Sequence, residues 1–142
     1  MDKKILLTLS LALIAIVMAS AVSADENVTI DGIDFNIPDG YIEDVTGEIV
    51  NETETDEDGS YVTNGKFFDN ENYTMLILVA DYGGDNASEE AFANIDVNNT
   101  KIKDVDGKLI DMGFLSIYCF VKDGKLVTLT TDGPDDIEKF II

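Results

Sequence analysis

Val28, Ile30, Ile33, Phe35 and Ile37 are apolar, Thr29, Asp34 and Asn36 between them are polar, and the alternation is broken once, by Asp31-Gly32. A period of two sends successive side chains to opposite faces of a strand. Asp-Gly between two such runs is the chemistry of a two-residue primed turn, whose central residues take positive φ. That turn pairs Ile30 with Ile33 and Val28 with Phe35, so the five apolar side chains share one face. The pattern predicts a half-buried hairpin and offers no converging oxygens for a ligand. Pro38-Asp39-Gly40 closes its second strand by fixing one backbone angle and supplying a residue at ease with positive φ.

The same device recurs near the C-terminus, where residues 115–121 and 126–131 flank Lys122-Asp123-Gly124-Lys125. A two-residue turn there pairs Val121 with Leu126 and Phe120 with Val127. Both faces are apolar near the turn, which predicts a central pair covered on each side. Residues 73–80, YTMLILVA, form a continuous apolar run of strand length and predict another interior strand. Asp106-Gly107 fits a three-residue loop that pairs Val105 with Leu109 and Lys103 with Asp111. The polar stretch GEIVNETETDEDGSY predicts a long loop or a weak edge strand.

Helical signals are short. Asn86 with Glu89 three residues on, or Ser88 itself, can cap a helix that runs to about Asp96 with Phe92 and Ile95 on one side. Pro134 suits a first helical position, Asp135 and Asp136 complement the positive end of the dipole, and Ile137, Phe140 and Ile141 make an apolar stripe. The expected class is α+β: a mostly antiparallel sheet of about six strands with two short helices, as the order of elements indicates.

Residues 1–24 read as a signal peptide. Lys3 and Lys4 precede an apolar run, and Val22-Ser23-Ala24 fits a signal-peptidase site. Cleavage after Ala24 leaves a single secreted domain over residues 25–142. The alternative is an uncleaved anchor, because residues 5–22 approach the length that spans a bilayer; the membrane is then a partner only through this segment. Either way the remaining chain faces outward, secreted or at the cell surface.

Charge and absences narrow the chemistry. The chain carries 29 acidic side chains against nine basic ones, a net charge of −20, which opposes close approach to nucleic acid and excludes it as a partner. Without His, Arg or Trp, and with Cys119 as the only cysteine, imidazole bases, guanidinium phosphate clamps, Cys/His zinc sites and internal disulfides are out of reach. No nucleophile elbow, phosphate loop or dinucleotide fingerprint is present. The expectation is a protein that is not an enzyme, with no catalytic residues and no cofactor.

Three features remain. Asn27, Asn51, Asn72, Asn86 and Asn98 each begin an Asn-x-Ser/Thr sequon, against about one expected by chance from composition. The excess predicts a glycoprotein, although Asn, Ser and Thr also share loops for plainer reasons. Cys119, between Tyr118 and Phe120, predicts a buried, inert thiol. Glu54, Asp56 and Asp58, followed by Gly59, imitate the start of a calcium loop, yet a twelve-residue loop from Glu54 would end on Gly65 where a bidentate Glu is needed. These three carboxylates are the weak candidates for a metal; the preferred reading is a solvated loop.

FNIPDGY at the end of the first hairpin, the YTMLILVA strand, the segment DYGGDNASEE, the hairpin around KDGK and the terminal PDDIEKFII together resemble small secreted proteins of methanogenic archaea. These are similar in outline to the PsbP-like fold. The resemblance spans nearly all of residues 25–142 and implies that fold; it implies no activity and carries over no functional residue. The function expected is a non-enzymatic secreted or cell-surface domain, structural or binding a protein or cell-envelope partner. The alternative is a divalent-cation module that holds calcium on clustered carboxylates.

Overall fold

The structure, a computed structural model, describes residues 25–84 and 86–142; the expected signal peptide lies outside them. Strands β1 (Glu26–Ile30) and β2 (Ile33–Ile37) form a separate two-stranded hairpin. Then follow β3 (Ile42–Asp56), β4 (Gly59–Asp69), β5 (Thr74–Asp81), helix α1 (Ala87–Asn94), β6 (Asn99–Ile102), β7 (Val105–Asp111), β8 (Ser116–Lys122) and β9 (Lys125–Thr131). A 3-10 turn over Pro134–Asp136 leads into the short helix α2 (Ile137–Phe140). Strands β3 to β9 form one seven-stranded antiparallel sheet in the order β3-β4-β5-β9-β8-β7-β6. The class is α+β as expected, with nine strands among the described residues where about six were predicted. No helix among these residues is long and apolar enough to cross a membrane.

The two Asp-Gly hairpins take the predicted register. Ile30 pairs with Ile33 and Val28 with Phe35, and Asp31 and Gly32 both adopt positive φ. Val121 pairs with Leu126 and Phe120 with Val127, around Asp123 and Gly124 at φ 51° and 74°. β5 and β9 lie at the centre of the sheet.

One face of the sheet carries the core. Phe68, Met75, Ile77, Val79, Tyr118, Phe120, Val127 and Leu129 are buried there against Ile30, Ile33, Phe35 and Ile37 of the first hairpin and Ile137, Phe140 and Ile141 at the C-terminus. Each fully buried side chain of this size contributes about 1.5–3 kcal/mol. Polar ties fix the cover. Lys125 Nζ donates to the Asp31 carbonyl at 2.6 Å, and the Tyr41 phenol donates to Asp136, whose other carboxylate oxygen accepts from Lys139 at 2.6 Å.

One alternative is decided and one expectation corrected. The acidic stretch is the edge strand β3 and not a loop, paired Thr53 to Val62 and Thr55 to Ser60; register shifts on either side of Ile49 let it follow β4. The β6–β7 turn is Lys103-Asp104, both at positive φ, so Ile102 pairs with Val105 and Asp106-Gly107 falls inside β7. Gly107 is needed there for a different reason. A Cβ on it would lie 2.5 Å from the Tyr118 phenol oxygen and 2.6 Å from the Cys119 carbonyl. Tyr118 uses that gap to donate to the Val105 carbonyl at 2.6 Å.

Helix α1 covers part of the opposite face, packing on β8 and β9. Its N-terminal residue Asn86 makes no side-chain cap, and Ser88 instead donates to the Gly124 carbonyl at 2.8 Å. Cys119 is buried beneath it, 5% exposed. The rest of that face, towards β3 and β4, is open.

Candidate ligand groove on the open sheet face

The open region is a groove of about 270 Å³ formed by β3, β4, β5 and β9. Strand alternation builds it. Tyr61 and Thr63 of β4, Leu78 and Ala80 of β5, and Leu126 and Thr128 of β9 all point away from the core, and they line it together with Ile49, Glu54, Asp56 and Tyr82. Gly65, paired with Leu78, makes room for that leucine; a Cβ there would lie 2.5 Å from Leu78 Cδ2 and 2.9 Å from the Ile77 carbonyl.

One end of the groove is aromatic and acidic. The Tyr61 and Tyr82 rings lie 4.8 Å apart, tilted by 35°. Glu54 sits directly across the ladder from Tyr61 and accepts its phenol hydrogen bond at 2.9 Å, while Tyr82 donates to Asp56 at 3.0 Å. Burial, followed by the bond to Glu54, pushes the Tyr61 phenol up to about 12. Burial and the bond to Asp56 raise Tyr82 as well. Both phenols are therefore neutral donors at ordinary pH.

Thr63 lies deeper. It is only 4% exposed, and its hydroxyl has no hydrogen-bond partner among the described residues. A buried unpartnered hydroxyl costs about 1–3 kcal/mol, which a ligand that supplies a hydrogen bond would relieve. The lining contains no lysine. An apolar floor, two aromatic faces, two carboxylates and one unpaired hydroxyl are equipment for binding.

The weak metal candidates are not gathered into a site. Glu54 accepts from Tyr61, Asp56 from Tyr82 and from the Asp58 amide, and Asp58 from the Asn94 side chain. Among the described residues no three acidic or cysteine side chains come close enough to hold a metal. Cys119 is far from reactive geometry: burial raises its thiol, which shares a hydrogen bond with the Thr128 hydroxyl at 3.7 Å.

All five sequon asparagines, Asn27, Asn51, Asn72, Asn86 and Asn98, are exposed. None of their side-chain amides bonds another described residue. Asn36, Asn64, Asn70 and Asn94, which begin no sequon, all use theirs internally. The groove itself escaped sequence reasoning because Tyr61, Thr63 and Tyr82 belong to no motif. The pairing of Glu54 with Tyr61 could have been found only by recognising β3 as a strand.

No family model matches the chain, and neither a curated protein nor a solved structure matches it.

Proposed function

We propose that the protein is a non-enzymatic domain exported to the cell surface or beyond, carrying glycans and serving a structural or partner-binding role. The observation that carries this reading is the division among its asparagines. Those that begin sequons are exposed, and their side-chain amides bond no other described residue, whereas four of the remaining five are tied into the fold. A modifying enzyme needs an accessible amide on the surface, and a bulky, hydrated glycan fits there without disturbing packing. The strongly acidic surface agrees with a solvated exterior.

The order of leading hairpin, central strands, single helix, second hairpin and closing helix agrees with the PsbP-like outline that the sequence resemblance implies. The calcium-module alternative draws no support from Glu54, Asp56 and Asp58, since among the described residues no three acidic or cysteine side chains come close enough to hold a metal. Fractionation of native cells followed by labelling with a membrane-impermeant reagent tests the proposal. The protein is expected in the surface or medium fraction, labelled on intact cells; recovery from the cytoplasm, shielded from the reagent, would contradict it.

A further inference from the structure

We infer that the groove on the open face is a binding site for a small organic ammonium ion with an apolar chain and a hydrogen-bonding group at its far end, of the amino-alcohol type. Three separate observations each account for one part of such a ligand. Leu78, Ala80 and Leu126 give the floor an apolar strip, on which a methylene chain gains by leaving water.

The head of the ligand follows from the open end. Glu54 and Asp56 each hold one phenol hydrogen bond, and a carboxylate oxygen has further lone pairs to offer. The faces of Tyr61 and Tyr82, 4.8 Å apart, attract a cation through their ring quadrupoles. With no lysine in the lining and a net charge of −20 on the chain, the field at the groove favours cations and repels anions.

The far end of the ligand follows from Thr63. Its hydroxyl is buried and unpartnered at the groove wall, so a ligand hydroxyl that reaches it restores a missing hydrogen bond. A purely apolar guest would leave that group unsatisfied. An inorganic divalent cation would use neither the floor nor Thr63.

The test uses 6-amino-1-hexanol as the probe, with hexylammonium, 1-hexanol and hexanoate as controls at constant ionic strength. Backbone amide shifts of Thr63 and Ala80 are one readout. Tyrosine fluorescence is a second, undisturbed because the chain has no Trp. The expected result is a saturable response to the amino alcohol, at least about tenfold weaker binding of hexanol, and none of hexanoate. The double variant Glu54→Gln, Asp56→Asn keeps the side-chain shapes and is expected to bind the amino alcohol about tenfold or more weakly. Thr63→Val is expected to abolish the advantage of 6-amino-1-hexanol over hexylammonium. Equal binding of the amino alcohol and hexanol to the unaltered protein would overturn the inference without recourse to any variant. So would a response that never saturates, or shifts confined to residues outside the groove.

Discussion

Lys108 Nζ lies 2.6 Å from the carbonyl oxygen of Ile95, just past the end of α1, and also donates to the Phe92 and Ala93 carbonyls at 2.8 and 3.3 Å. One ammonium thus gathers three carbonyls at the end of the helix, where intrahelical partners run out; the Phe92 carbonyl also accepts from the Ile95 amide and the Ile95 carbonyl from the Val97 amide. Its charge sits at the negative end of the dipole and 4.7 Å from the centre of the Phe92 ring. Lys108 pairs with Cys119 across the ladder, so the helix it anchors is also the lid over the thiol.

Lys108→Met keeps the length of the side chain and removes all three bonds. The expected outcome is a loss of about 1–3 kcal/mol in stability, together with faster reaction of Cys119 with a thiol reagent under native conditions. Labelling rates for the native protein and the variant decide the matter. An unchanged rate would mean that α1 does not depend on Lys108.

Asp136 predicts a pH dependence. Burial disfavours its charge, but the bonds from Lys139 and Tyr41 outweigh that and hold the carboxyl below its ordinary value. A depressed folded pKa contributes stability that is complete above the unfolded value and is lost as pH falls through the folded one. Asp136→Asn is therefore expected to cost about 1–3 kcal/mol at neutral pH, with the gap closing below about pH 4. Urea denaturation of both proteins at neutral pH and at about pH 3 measures it; a gap independent of pH would contradict the assignment.

Tyr61 predicts an alkaline counterpart. Its phenol is raised to about 12 by burial and by Glu54, so the stability it contributes is complete below the unfolded tyrosine value and is lost as pH rises through the folded one. In a phenolate absorbance titration Glu54→Gln should bring the Tyr61 ionisation to lower pH. No movement would show that Glu54 does not act on the phenol.

Gly65 predicts a packing effect at the groove. Gly65→Ala forces a methyl to within 2.5 Å of Leu78 Cδ2 and is expected to cost about 1–3 kcal/mol. Gly84→Ala, whose new methyl meets only the Ala87 Cβ at 3.4 Å, serves as the control. Equal denaturation midpoints for the two variants would contradict the packing described.

The elements legible in the sequence are those in which turn chemistry and alternation agree. Asp31-Gly32 and Asp123-Gly124 set both turn and register because the apolar residues on either side could share a face in only one way. β3 was harder to read because an edge strand with polar side chains on both faces carries no burial pattern; its pairing with β4 is a tertiary matter. Asp106-Gly107 looks like a turn, yet Gly107 answers to the Tyr118 ring, while Lys103 and Asp104 take positive φ without a glycine. The groove draws Glu54, Thr63, Tyr82 and Leu126 from four separate stretches, and no local spacing links them. The exposure of the sequon asparagines could be anticipated, but their unengaged amides could not.

The central claim is export to a glycosylating exterior, and the most direct measurement is intact mass with glycopeptide mapping on protein purified from its native host. The account predicts a chain that begins at Asp25 and carries glycan on one or more of Asn27, Asn51, Asn72, Asn86 and Asn98. A chain that begins at Met1 with all five asparagines unmodified would contradict it.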